Sequence, residues 1–276
     1  MNTWRTDKRR WVGRALTSAL VGLLALAVVG RATSGGAEAL HAPVGGASLW
    51  HLEAVDDPPN FYGVGSRSLA LDGSGHPHIA YGGDHLYYAW RYGNAWHRET
   101  VDSAPGVGDE ASLALGANGH PHISYLDFTN HDLKYAHFNG SKWQIETVDN
   151  SGDVWWETSL ALDANGHPHI SYFDSTNDDL KYAHFDGTSW HIETVDSTGD
   201  VGDSNSLALD ANGHPHISYS DSTNDDLKYA HFDGTSWHIE TVDSTGEVGS
   251  GNSLALDSNG HPHISYRDVS HENLKY

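Results

Sequence analysis

Residues 159–196 read "SLALDANGHPHISYFDSTNDDLKYAHFDGTSWHIETVD". Four short β-prone runs stand in this stretch, A (159–163), B (167–172), C (180–185) and D (190–195), each bounded by turn residues. Asn165-Gly166 separates A from B, and Asp186-Gly187 separates C from D. Both pairs accept the positive φ of a tight hairpin, so the stretch reads as an antiparallel meander. Leu160 and Leu162 alternate with Ser159 and Ala161, and Ile170 and Tyr172 alternate with His169 and Ser171. Large side chains therefore fall on one face and small ones on the other, as sheets packed on both sides require.

The unit recurs. His-Pro-His begins at His76, His120, His167, His214 and His261, spaced by 44 residues and then three times by 47. That period suits a four-stranded propeller blade. Residues 159–201 and 206–248 differ only at Phe173 against Ser220 and Asp200 against Glu247, the mark of a recent duplication. Helical periodicity is absent from residue 40 onward, which excludes stacked helical repeats. Strand D, marked by tryptophan, occurs at Trp50, Trp96, Trp143, Trp190 and Trp237, and its first copy, "SLWHLEAVD" at 48–56, precedes the first A. The sequence predicts an all-β propeller of about five four-stranded antiparallel blades, closed by this N-terminal strand D completing the last blade. The alternative is a fragment of a six- or seven-bladed ring.

Residues 1–39 read as a signal peptide, with Arg5, Lys8, Arg9, Arg10 and Arg14 before the uncharged apolar run 15–30 and a small-residue cleavage signal at 37–39. The run is 16 residues, short for a membrane span, although an uncleaved anchor is the other reading. The propeller domain is then 40–276, secreted or held at the cell surface, with no membrane span in the mature chain. Six of the 15 Lys and Arg and two of the 37 Asp and Glu lie in the leader, so the remainder carries nine basic and 35 acidic residues, a net charge of −26. Such a surface repels nucleic acid. There are no cysteines, and the core must hold the fold without disulfides.

These residues resemble secreted bacterial β-propeller repeats in the style of the sialidase-type Asp-box and NHL families, on "SLALDxNGHPHISY" and "DGTSWHIETVD". Gly187 to Trp190 keeps the Asp-box interval, while Asp186 directly abuts Gly187. The resemblance implies a propeller.

Function is expected on the face carrying the B–C and D–A loops, where Asp174, Asp178, Asp179, Asp196, Asp200 and Asp203 of one repeat share a rim. The repeated Asp127, Asp174, Asp221 and Asp268 after strand B offer the oxygen chemistry of a calcium site; the plain alternative is that they cap turns. No other cofactor is indicated. Phe61, Tyr62, Trp155 and Trp156, placed by the sequence in D–A loops, break the repeat and suit stacking against a sugar ring or anchoring a protein. The expected function is an extracellular binding or adhesion module for glycan or protein. A sialidase-like hydrolase is the enzyme alternative, and a spacer domain without its own ligand the third. An arginine cluster for an acidic sugar is missing, since beyond the leader the chain holds only Arg67, Arg91, Arg98 and Arg267. The His-Pro-His units could be paired metal ligands, but a third and fourth ligand are not evident. The second histidine of each unit is instead expected between blades, hydrogen-bonded to Ser or Asp of a neighbouring strand.

Overall fold

A computed structural model describes residues 52–58, 61–65 and 67–276, and the side chain of Tyr62 is not among the described groups. The proposed leader, Trp50 and the loop residues Pro59 and Asn60 lie outside the described residues.

Five antiparallel sheets follow one another along the chain. Blade 1 is β1 (Phe61–Gly63), β2 (Leu69–Leu71), β3 (Pro77–Gly83), β4 (Leu86–Tyr92) and β5 (Ala95–Asp102). Blade 2 is β6 (Val107–Leu115), β7 (Pro121–Asp127), β8 (Asp132–Phe138) and β9 (Trp143–Asp149). Blade 3 is β10 (Val154–Leu162), β11 (Pro168–Asp174), β12 (Asp179–Phe185) and β13 (Trp190–Asp196). Blade 4 is β14 (Val201–Leu209), β15 (Pro215–Asp221), β16 (Asp226–Phe232) and β17 (Trp237–Asp243), and blade 5 is β18 (Val248–Leu256), β19 (Pro262–Asp268) and β20 (Asn273–Lys275). Each is an up-and-down meander, and together they form a β-propeller. The proline of each His-Pro-His unit opens its strand, where a missing N–H costs least. Gly166 has φ 82°, and the turn around it is tied by Asp163 Oδ1, which accepts from the N–H groups of Asn165 and His167.

The core lies between blades. Ile170 and Tyr172 of blade 3 pack with Leu126, Leu133 and Tyr135 of blade 2, and the equivalent clusters join blades 1 to 2 and 3 to 4. Tyr125, Tyr172 and Tyr219 are fully buried, and their hydroxyls all donate to an aspartate at the end of the preceding blade's last strand: Asp102 at 2.8 Å, Asp149 at 2.6 Å and Asp196 at 2.8 Å. The same aspartates receive the ammonium of Lys134, Lys181 and Lys228 at 2.9, 2.5 and 2.5 Å. A Tyr–Asp–Lys lock therefore ties each blade to the one before it. The small side chains have a partner as well: Ser112, Ser159 and Ser206 accept through Oγ the N–H of Leu160, Leu207 and Leu254 in the next blade's first strand, lacing the innermost strands together.

At the ends of the array, Asp56 holds the station of Asp102, accepting from the Tyr81 hydroxyl at 2.6 Å and pairing with Arg98, which stands in for the lysine that blade 1 lacks. "EAVD" at 53–56 thus ends where a preceding strand D would end. Residues 52–58 nevertheless form no strand, and among the described residues the last sheet has three strands. Near the axis, Arg67 of blade 1 donates to Leu207 O at 2.7 Å, reaches Leu254 O at 3.4 Å and pairs with Ser206 Oγ.

Candidate functional site

The first strand of each blade begins earlier than its alternation suggests. Residues 154–158 pair with β11 across a bulge, so Trp155 and Trp156 belong to β10, and Phe61 and Tyr62 to β1; the expectation that they stand in D–A loops is corrected. A bulge adds a residue and re-aims the side chains beside it. Glu110, Trp156 and Ser204 hold left-handed backbones at φ 49°, 67° and 52° in three consecutive blades, and blade 5 has Gly251 at this level with φ 58°. The carbonyls of Glu110, Glu157 and Ser204 are fixed by the next blade, accepting from Thr158 Oγ1 at 3.2 Å, Asn205 Nδ2 at 3.0 Å and Asn252 Nδ2 at 2.6 Å.

These bulges gather acids at the loop-face end of the innermost strands. Glu157 is held well above the carboxylate range, first by burial and then by the charges of Asp203 and Glu110; its carboxyl hydrogen-bonds Asp203. Burial, helped by Asp109 and Asp203, pushes Glu110 up to about 7, and burial raises Asp109. Carboxyls from blades 2, 3 and 4 thus converge on one another at the level of the bulges, and burial with mutual repulsion favours their protonated forms. Neutral carboxylic acids donate as well as accept, so this mouth can satisfy hydroxyl groups of either polarity. Sequence reasoning placed Asp203 on the rim and missed Asp109, Glu110 and Glu157. The available signal was that Glu110 and Glu157 occupy a position held by Ser204 and Gly251 in the next two repeats.

The aromatic residues singled out by sequence do not form one site. Trp155 packs against Phe128 and His131 of blade 2, with ring centroids 5.4 and 4.9 Å apart, which ties it to the loop base. Trp156 is partly exposed. Phe61 is 55 % exposed and leans on Tyr81 in blade 1, at 6.4 Å.

Asp127, Asp174, Asp221 and Asp268 are buried at the start of the B–C turn. Asp127 accepts from the N–H groups of Thr129 and Asn130 and from Asn130 Nδ2, at 3.0, 3.0 and 2.9 Å. Asp174 and Asp221 repeat the pattern. The lock lysines lie 3.9, 3.7, 3.8 and 3.4 Å from the four carboxylates in order. A calcium ion there would have to displace a resident ammonium and the turn's own N–H groups. Among the described residues no group of three or more His, Asp or Glu has metal-binding geometry.

The second histidine of each His-Pro-His unit packs against the tyrosine of its own blade's third strand: His78, His122, His169, His216 and His263 pair through Nδ1 with the hydroxyls of Tyr88, Tyr135, Tyr182, Tyr229 and Tyr276. The expected Ser or Asp partner is replaced by tyrosine because the register sets His169 opposite His184, two residues from Tyr182 on the same face. Burial, with His137 or His184 stacked alongside, lowers His122 and His169 to about 4. The first histidine of four units instead faces an aspartate four residues earlier, as His167 faces Asp163 at 3.4 Å.

No protein-family model matches the chain, and no curated protein matches it in sequence. Its fold is shared with solved structures. A mutant of AofleA from Arthrobotrys oligospora superposes with TM-score 0.57 at 11 % identity, over 78 % of this chain and 68 % of that one. An ulvan lyase, a polysaccharide lyase bound to a GlcA–Rha3S unit, gives TM-score 0.55 at 14 % identity, over 78 % and 66 %. The Aleuria aurantia lectin, in complex with a fucosylated GlcNAc, gives 0.52 at 14 % identity, over 76 % and 72 %. At these identities the likeness establishes the propeller fold. No described helix is long and apolar enough to cross a membrane.

Proposed function

We propose that the chain is an extracellular glycan-binding module that takes its ligand at the loop-face mouth. The observation that carries this reading is an asymmetric constellation in a repeated fold: the interacting carboxyl groups of Glu110, Glu157 and Asp203, with the partly exposed Trp156 next to Glu157 in the same bulge. An indole face suits the apolar face of a sugar ring, and a mixed set of carboxyls and carboxylates suits its hydroxyls. Lectin and polysaccharide-lyase folds among the similar structures support the reading at the level of fold. The mouth disfavours a sialidase-like reaction, because it is acidic while three of the four arginines are engaged elsewhere, Arg67 on backbone carbonyls, Arg91 on Glu53 and Arg98 on Asp56.

The test is a glycan array with the full chain, followed by titration of any hit against Trp156→Ala and Glu157→Gln. We expect one ligand per chain and at least a tenfold loss in either variant, with both still folding cooperatively. Binding untouched by both substitutions, or several equivalent ligands per chain, would move the site to the repeated blade seams and overturn the assignment.

A further inference from the structure

The seam between blades 2 and 3 is built differently from the seams that follow it. Where blades 3 and 4 meet, the loop face carries Ser175, Asp178 and Gly202, and where blades 4 and 5 meet it carries Ser222, Asp225 and Gly249. At the same three stations the seam of blades 2 and 3 carries Phe128, His131 and Trp155. Phe128 and His131 stand in the loop between β7 and β8 and Trp155 at the start of β10, so both blades contribute. The three rings form one partly exposed group, with the Trp155 centroid 5.4 Å from Phe128 and 4.9 Å from His131. The Val154 N–H donates to His131 O at 2.9 Å, which fixes the loop against the strand. The imidazole pairs at 3.2 Å with Asp153, whose side chain is 57 % exposed. The bulge is altered to make room. A Cβ at Gly108 or Gly202 would lie 2.6 or 2.7 Å from the Cα of Leu86 or Leu180, so the ordinary bulge admits no side chain at that station. In blade 3 the left-handed residue comes one position earlier, on Trp156 rather than at the level of Glu110, Ser204 and Gly251. That conformation is costly for a bulky side chain, so two consecutive indoles stand here against local backbone preference.

We propose that this aromatic shelf is a second sugar subsite, and that the chain takes a neutral oligosaccharide with one ring at the mouth and the next on the shelf. The proposal rests on the mouth as the primary site and extends it. Trp155 and Trp156 are consecutive, so their Cα atoms lie about 3.8 Å apart, within the length of one sugar ring. An indole offers a flat apolar surface to the C–H groups of a sugar, while His131 and Asp153 offer hydrogen-bond partners to its hydroxyls. A carboxylate or sulfate on the sugar would meet Asp153 on the shelf and the carboxyls of the mouth, which disfavours acidic glycans. The glycines at the next seams leave no side chain from which to build an equivalent shelf, in keeping with one ligand per chain.

Size ladders of cello-, chito- and xylo-oligosaccharides, from the monosaccharide to the hexasaccharide, titrated calorimetrically against the full chain, read the subsite. The expected result is an affinity that rises about tenfold as the second ring is added and then levels off. Phe128→Ser, His131→Asp and Trp155→Gly together install the residues with which the next seam already folds. This triple variant should melt cooperatively, keep the single-ring affinity and lose the gain with length. Trp155→Ala makes the same test with one substitution, whereas Trp156→Ala should lower affinity at every length. No gain with length, or a gain that survives the triple variant, overturns the shelf and leaves the mouth standing. Binding that ignores Trp156→Ala at every length overturns the mouth and the two-ring assignment with it, as does silence across all three ladders.

Discussion

Removing the carboxylate from a central Tyr–Asp–Lys lock should be far more damaging than removing one at the end of the array. Between blades 2 and 3, Asp149 accepts from the Tyr172 hydroxyl at 2.6 Å, Lys181 Nζ at 2.5 Å and the N–H of Ser151 at 2.9 Å, and the side chains of Asp149 and Lys181 are only 4 % and 10 % exposed. Asp149→Ala strands that ammonium and that phenol. Breaking a buried pair by deleting one partner costs about 3–5 kcal/mol. Asp174 remains 3.7 Å from the ammonium and retains part of the attraction, which brings the expected loss to about 3 kcal/mol. The same substitution at Asp243 is an internal control, because Lys275 is 34 % exposed and water can take over, for a loss of about 1 kcal/mol. Urea unfolding followed by circular dichroism at pH 7 reads both. With a slope of about 3 kcal/mol/M, the midpoint should fall by about 1 M for Asp149→Ala and about 0.3 M for Asp243→Ala. Asp149→Ala combined with Lys181→Met should recover part of the loss, since the stranded ammonium is gone while Asp174 keeps its donors from Thr176 N–H and Asn177 Nδ2. Equal shifts at the two positions, or no recovery in the double variant, would refute the reasoning.

Acid should weaken the fold well before its carboxylates protonate. The folded His122 and His169, at about 4, lie below the unfolded value near 6.5, so the unfolded chain takes up protons first as pH falls between those limits. Stability should drop there by on the order of 2 kcal/mol per histidine, and replacing both with Gln should flatten the urea midpoint against pH. Asp149 acts lower: burial raises its pKa, but the bonds from Lys181, Ser151 and Tyr172 outweigh burial and hold it at about 2, so its contribution is present above about 4 and disappears toward 2. At the mouth the sign reverses, because Glu110 and Glu157 have folded values raised to about 7 and about 8 from 4.5: their contribution is present below about 4.5 and lost as pH rises, so stability should fall by on the order of 2 kcal/mol between about pH 5 and 8, and Glu157→Gln should remove a large part of that fall. Millimolar calcium should leave the melting temperature unchanged while the lysines hold their stations beside Asp127, Asp174 and Asp221, and a clear rise would restore those residues as metal ligands.

Much of the architecture was legible because the repeat carries its punctuation with it. Asn165-Gly166, the proline at the head of each second strand and the Leu160/Leu162 alternation each fix a local feature, and the structure places them as read. The beginnings of the first strands escaped notice because "VGDSN" and "VWWET" do not alternate, and Gly202, at φ 107°, reads as a turn although it lies within β14. The acid mouth was illegible for a related reason. Glu110, Glu157 and Asp203 are 47 and 46 residues apart and meet only because three bulges turn toward one axis. Nothing in the sequence marks Lys181, yet its place in the register makes it the cation that Asp174 already has.

The lock also bears on inheritance. Its members lie 23 and 32 residues apart, so one stretch of gene encodes the donor pair for the blade behind and the acceptor for the blade ahead. A duplicated segment arrives with both fittings in place and needs no compensating change, which fits two neighbouring blades that differ at only two positions across 159–201 and 206–248. The penalty falls on folding, for a chain with interchangeable parts has no local means of telling its third blade from its fourth. Skipping one would leave a smaller array with every remaining joint satisfied, a trap that more divergent repeats avoid.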